Sequence, residues 1–384
     1  MPIASMALDR DADRDDNGPP PSIGETLRTI AFGKGIVSLC LLAMPLGWYS
    51  HYASWGSTWI FWLNFFTMIP LASILGDFTE EVALHTNQTI GGLINATFGN
   101  AVEVVVAIQA LLANEIRVVQ ASMIGSIFSN LLLVLGCCFF FGGLGHQQQR
   151  FNSVAATANM GLLALSSIAL ILPTPFAAYY ELHDAHVLTV SRIAACFLMC
   201  MYLQLLFFQL KTHANLFAGT QDDSELAVMP FWVSIVGLLF TTLVITIFSD
   251  YLVESIDGFV TDSGISRTFV GIILLPIVGN AVEHVTAVTV AMKDKMDLAM
   301  GVAVGSCTQI SLFVVPLTVL VGWALERDMT LNFPPFEVIL FVMSVLTVAI
   351  VLGNPECNWL EGSLLITTYL LIAVGFWFED VKPF

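Results

Sequence analysis

The sequence predicts an all-α polytopic membrane protein of about eleven transmembrane helices: one extra N-terminal helix, then two inverted five-helix repeats. Three observations carry that prediction. Apolar residues are abundant, they cluster into long runs, and a polar motif recurs five helices after its first appearance. Hydrophobic residues fill 57% of the 384 positions and charged residues only 11%, against about 25% charged in a soluble domain. A water-exposed fold has no surface for that material, and a transmembrane β-barrel would show short alternating segments. Eleven helices of roughly 24 residues would occupy about 260 positions and leave only short loops.

The chain opens with Asp9, Asp11, Asp13, Asp15 and Asp16 interleaved with Arg10 and Arg14, followed by Gly18-Pro19-Pro20-Pro21. This reads as a disordered acidic cytosolic tail over 1–33, not a secretory signal. Hydropathy places spans near 34–49, 56–78, 90–112, 117–142, 152–173, 187–210, 230–255, 268–292, 296–324, 334–352 and 360–378. The first, within 34–50, is the extra helix; 56–210 and 230–380 are the repeats. Between them lies a short acidic cytosolic linker, 211–229, with Asp222, Asp223 and Glu225. With the N-terminus in the cytosol, 8 Lys and Arg fall inside and 5 outside, which puts the C-terminus on the luminal side. The net charge of −17 argues against nucleic acid as a partner. Six of seven cysteines lie in apolar runs and Cys357 in a short loop, so no disulfide framework or zinc pattern follows.

Residues 99–103 and 279–283 both read Gly-Asn-Ala-Val-Glu, and a shift of 180 aligns 99–136 with 279–316 with eleven identities and no gap. The copies fall on the third and eighth spans. An odd number of crossings separates them, so they enter the membrane in opposite directions, as in many secondary transporters. Glu103 and Glu283 sit centrally in apolar helices, where an ionised carboxylate costs a few kcal/mol or more. Asn100 and Gly99 share a helical face with Glu103, as Asn280 and Gly279 do with Glu283. Inversion brings these faces together, and two carboxylates with two carboxamides suit a hard divalent cation. Ser126 and Ser129 on the fourth span, with Ser306 and Gln309 at the matching places of the ninth, are further oxygen ligands. Gly99, Gly279 and Pro276 are expected to loosen the helices and free carbonyls.

Two Glu plus one divalent cation sum to zero charge, and so do two Glu plus two protons. An empty site carries −2 and resists reorientation. The same two carboxylates therefore serve proton coupling, and metal is expected to exchange for protons. His284 lies on another face as a gating group. Glu80 and Glu81 at the end of the second span, and Asp250, Glu254 and Asp257 at the end of the seventh, are expected vestibule or gating acids.

These residues resemble the vacuolar cation/proton branch of the calcium exchanger superfamily. The resemblance runs over nearly the whole chain after the tail. It includes 91–103 (Gly-Gly-Leu-Ile-Asn-Ala-Thr-Phe-Gly-Asn-Ala-Val-Glu), Val119-Gln120-Ala121-Ser122, 125–136 from Gly125-Ser126 to Leu135-Gly136, 275–284 from Leu275-Pro276 to Glu283-His284, Lys293-Asp294-Lys295-Met296-Asp297, and Gln309-Ile310. It implies eleven helices, Ca²⁺ bound by Glu103 and Glu283, and helper roles for Asn100, Asn280, Ser126, Ser306 and Gln309. It further implies a contribution from Glu80, H⁺ as counter-ion, no organic cofactor, and a vacuolar or other acidic internal membrane. Some members of that branch also move Mn²⁺. The family's acidic cytosolic element is reduced here to a linker with three acids. Oligomerisation is compatible with all of this.

The rival readings are a sodium-driven calcium exchanger and a cation channel. Sodium-driven relatives carry a proline before the repeat Glu, where this chain has Val102 and Val282. A duplicated inverted core points to alternating access and away from a channel. No Gly-x-Ser-x-Gly elbow or His-Glu-x-x-His motif supports an enzyme.

Overall fold

The computed structural model describes residues 22–180, 184–213 and 227–379. In chain order, the helices of the first half are α1 Ile23–Phe32, α2 Ile36–Leu39, α3 Ala43–Tyr52, α4 Ser57–Leu84, α5 Gln88–Phe98, α6 Ala101–Leu112, α7 Ile116–Phe128, α8 Leu135–Gly145, α9 Ser153–Ile171, α10 Pro173–Tyr180 and α11 Asp184–Phe207. Those of the second half are α12 Phe231–Glu254, α13 Ile256–Ser263, α14 Arg267–Phe269, α15 Leu275–Gly279, α16 Ala281–Met292, α17 Met296–Gln309, α18 Val315–Ala324, α19 Pro335–Val351 and α20 Trp359–Trp377. The two-residue strands β1 (Gln149–Arg150) and β2 (Glu356–Cys357) pair antiparallel.

Among the described residues seven helical stretches are long and apolar enough to cross a membrane, or ten when each of three bent pairs counts as one span. Their outward faces carry residues such as Phe240, Leu371 and Ile350, exposed by 64%, 67% and 80%. Faces this apolar are solvated by hydrocarbon, not water.

One departure lies at the N-terminus. The expected disordered tail reaches Gly33, but residues 23–32 form α1. Ser22 caps it: its hydroxyl accepts the Glu25 N–H, while the Glu25 carboxylate accepts from the Ser22 N–H. This reciprocal capping box satisfies two donors that a helix start otherwise leaves open. Residues 1–21, and the acids Asp222, Asp223 and Glu225 expected in the linker, lie outside the described residues.

Contacts divide the chain into two units that cut across the two sequence halves: Met1–Val106 with Asp222–Ser263, and Ala107–Gln221 with Gly264–Phe384. Membrane helices associate by close packing of faces, so chain order need not be followed. In the first unit α4 packs along α12, the first long helix of the other half. Gly237 on α12 leaves no room for a Cβ against the Phe78 ring. Phe61 of α4 stacks on Phe259 of α13 with centroids 4.0 Å apart. Lys34 Nζ reaches Asp77 Oδ2 at 2.6 Å and the Ser73 carbonyl at 3.3 Å, tying the chain just before α2 to α4.

In the second unit α7 and α8 form one 30-residue rod, and 83% of its most apolar stretch is buried, which makes it the centre of the unit. A π-helical turn, Ser129–Val134, joins the two; another, Ile310–Val314, joins α17 to α18. Gly125 of α7 lies so close to the Ile272 backbone that a Cβ has no place there. The strands clasp one end of the unit: Gln149 donates to the Ala291 carbonyl and to Asp294 Oδ1, each at 2.9 Å, and Arg150 pairs with Glu356 at 2.7 Å. Elsewhere Arg117 of α7 forms an ion pair with Glu337 of α19, whose side chain is fully buried.

Candidate functional site

The two Asn–Glu pairs stand where helices break. In the first unit the third apolar run is not one straight helix: α5 and α6 meet at Gly99 and Asn100 with a bend of 45°. In the second unit the eighth run bends by 58° between Gly279 and Ala281, with Asn280 between α15 and α16. The expectation that Gly, Asn and Glu share the face of a continuous helix therefore changes. Each Asn sits at the break, and each Glu lies in the first turn of the helix that follows. Amide N–H groups at a helix start favour negative charge, so this placement eases the cost of a buried carboxylate.

In the first unit Asn100 is 1% and Glu103 6% exposed. The Asn100 carbonyl accepts the Val104 N–H at 3.1 Å, restarting the helix below Glu103. Gly99 closes α5 by donating to the Asn95 carbonyl at 2.8 Å.

The surroundings of Glu283 in the second unit are shown in more detail. Ser306 of α17 donates its hydroxyl hydrogen bond to Glu283 Oε1 at 2.7 Å. The other carboxylate oxygen, Oε2, is buried without a hydrogen-bond partner. Asn280 Nδ2 reaches the Ser126 carbonyl at 3.4 Å and its Oδ1 is left unsatisfied. Asn130, wholly buried in the first π-helical turn, is the neighbouring carboxamide of Glu283. Glu283, Ser306, Asn280, Ser126 and Asn130 thus converge, and three buried oxygens, Glu283 Oε2, Asn280 Oδ1 and Asn130 Oδ1, lie outside hydrogen-bond geometry with any partner. Buried polar oxygens without partners are rare, and oxygens of this type are what a hard cation takes as ligands.

Ser129 opens the first π-helical turn and is buried, while Gln309 closes α17 just before the second and is half-buried. A π turn widens the backbone, and such turns often mark functional places in helices. His284 follows Glu283 on α16, half-buried.

The flanking acids separate. Glu80 is exposed near the end of α4. Glu81 is 1% exposed, and its Oε2 accepts the N–H groups of Val228 and Met229 at 3.1 and 3.2 Å, anchoring the chain before α12. This differs from the open vestibule group expected of Glu81. The exposed position near the end of α4 is taken by its neighbour Glu80, and Glu81 is turned in by two backbone donors. Asp250 is half-buried; Glu254 is exposed and faces His51 Nδ1 at 3.9 Å, and the His51 ring stacks on Tyr251 at 3.9 Å.

Asn130 was not among the candidates that the repeat singles out. The reason is specific: its counterpart under the 180 shift is Ile310, so a search for matched polar pairs passes over it. The one signal was its place beside Ser129 inside the Gly125–Gly136 run.

Broken apolar helices carrying buried carboxylates and carboxamides define a membrane ion transporter of the discontinuous-helix type. The sequence profile described as "Sodium/calcium exchanger protein" matches residues 56–211 and 233–378, and the chain belongs to that family. Over 88% of its length it is 42% identical to the vacuolar cation/proton exchanger 2 of Oryza sativa subsp. japonica, covering 80% of that protein. It is 40% identical to the Ca²⁺/H⁺ antiporter of Aphanothece halophytica over 92% of this chain and 98% of the relative. Among solved structures, native YfkE superposes with a TM-score of 0.78 at 34% identity, covering 89% of this chain and 99% of that one.

Proposed function

We propose that this chain is a secondary antiporter that exchanges Ca²⁺ for H⁺ by alternating access, moving cytosolic Ca²⁺ into an acidic compartment. The single observation that carries the proposal is the carboxylate in the first turn after a helix break, present in both halves as Glu103 and Glu283. Relatives at about 40% identity are named for this exchange, which supports the reading.

In this scheme Glu103 and Glu283 bind the ion and alternate between metal and protons. Asn100, Asn280, Ser126, Ser129, Ser306 and Gln309 supply further oxygens. The unsatisfied Glu283 Oε2 and Asn280 Oδ1 are the atoms of the second unit that would accept Ca²⁺. Ser306 holds the other carboxylate oxygen and fixes the orientation of the group. Protons neutralise the same carboxylates on the return half-cycle, because two ionised acids in a dry site cannot be left uncompensated. Glu80, Asp250 and Glu254 attract cations or gate access at the mouth, with His284 beside the site.

The finer architecture belongs to the same proposal. Counting the 17-residue α19 as a span brings the ten of the bent-pair count to eleven. The two stretches 56–210 and 230–380 are inverted repeats, the N-terminus is cytosolic, the C-terminus luminal, and the membrane vacuolar or another acidic endomembrane. Ca²⁺ and H⁺ are the transported ions, and no organic cofactor takes part.

Sealed vesicles containing the purified chain test the proposal. Ca²⁺ uptake is expected when the interior is made acidic, and not when a sodium gradient replaces the pH gradient. Uptake driven by sodium alone would move the chain to the sodium-coupled class named in the family description.

A further inference from the structure

On the second unit, away from the carboxylates, a groove of about 430 Å³ runs between α11 and α18 and is lined by Thr189, Arg192, Ile193, Phe197, Cys200 and Trp323. Its walls are apolar and face outward, with Ile193 exposed by 52% and Phe197 by 69%. Arg192 is the exception. It is the ninth residue of α11, which starts at Asp184, so its Cα lies about 12 Å along the helix from that end. The guanidinium sits over the Trp323 ring, 4.9 Å from its centroid. Its Nε is buried without a hydrogen-bond partner, and among the described residues no carboxylate forms an ion pair with it.

A cation held in an apolar groove is costly unless a counter-charge arrives. The tryptophan face compensates only part of the charge, and the guanidinium's planar fork matches phosphate oxygens. Trp323, next to last in α18, marks the level where ring and headgroup chemistry meet. We propose that this groove binds one anionic phospholipid, its phosphodiester on Arg192 and an acyl chain along Ile193, Phe197 and Cys200. The lipid completes the charge balance of α11 and clamps α11 to α18.

Native mass spectrometry of the detergent-purified full chain, titrated with phosphatidylglycerol or phosphatidylcholine, reads the site directly. The wild type is expected to keep one more phosphatidylglycerol than Arg192→Gln, with at least fivefold higher occupancy, and to show no such excess with phosphatidylcholine. Cys200→Phe keeps the cation but fills the groove, and should lose the same lipid. Both variants are expected to retain proton-driven Ca²⁺ uptake in vesicles of phosphatidylcholine, which shows that they fold. Equal lipid occupancy in all three proteins overturns the proposal. So does displacement of the lipid by millimolar inorganic phosphate, or an Arg192-dependent dimer that fills the groove with a second copy.

Discussion

The Ser306 hydroxyl at 2.7 Å from Glu283 Oε1 is, when the carboxylate is ionised, a hydrogen bond of the short and strong charge-assisted kind. Such bonds contribute about 1.5–3 kcal/mol. Removing it in Ser306→Ala frees the carboxylate to rotate, and the KM for Ca²⁺ in vesicle uptake should rise roughly tenfold or more. Glu103→Gln and Glu283→Gln are each expected to abolish exchange while the purified protein keeps its melting temperature, because an amide can neither be protonated to a neutral acid nor neutralise a divalent ion. Retained proton-coupled uptake in either variant would contradict their roles. At this scale much was legible in the sequence: a Glu in an apolar run is expensive, and its repetition with Asn makes coincidence untenable. What stayed hidden depended on neighbours that only folding supplies. Glu81 and Glu80 are adjacent and chemically alike, yet Val228 and Met229 draw one inward and leave the other exposed. Asn130 escaped because the residue 180 positions further on, Ile310, is apolar.

At the scale of elements, the helix breaks and close approaches carry the site. Gly125 of α7 lies against the Ile272 backbone, in the turn of helix leading into α15. A methyl group there must push α7 from the segment that ends at Asn280. Gly125→Ala is therefore expected to lower the melting temperature by several degrees and to weaken Ca²⁺ uptake, measured by fluorescence-detected unfolding and vesicle transport. The Arg117–Glu337 pair is buried on the Glu side. Truncating one partner leaves an uncompensated charge at a cost of about 3–5 kcal/mol, whereas an uncharged, well-packed replacement of both is far less harmful. Glu337→Ala should thus unfold at a markedly lower temperature than Arg117→Met/Glu337→Leu. At the strand clasp, burial pushes the Cys357 thiol up to about 12, with the Glu361 and Asp294 charges adding to it. Its folded-state thiol then stays protonated through pH 8, so maleimide labelling at that pH should be slow until detergent or heat opens the clasp. Hydropathy located the long apolar helices because lipid-facing and buried positions are both apolar along them. The π-helical turns at Ser129 and Ile310 were not legible, since an extra residue per turn leaves no mark on an evenly apolar run. The capping box at Ser22 was present as Ser-x-x-Glu, but lay among the acids and prolines read as a tail.

For the whole molecule, composition alone excluded soluble folds, and the 180-residue repeat supplied the expectation of a duplicated core. The division into contact units was not legible, because α4 and α12 lie in different halves and meet by face. The proposed mechanism has a sign in pH. Acid on the compartment side protonates the two carboxylates as they release Ca²⁺, so uptake should accelerate as the vesicle interior is acidified. Acid on the Ca²⁺-loading side makes protons compete for the same oxygens, so the apparent KM for Ca²⁺ should rise as that side's pH falls. A protonophore that collapses the gradient should stop net uptake. The most direct measurement is simultaneous recording of Ca²⁺ entry and H⁺ exit in vesicles holding the wild type or Glu283→Gln. Coupled, opposite fluxes in the wild type, both lost in the variant, are predicted; Ca²⁺ entry that continues without proton exit would contradict exchange through neutralised carboxylates.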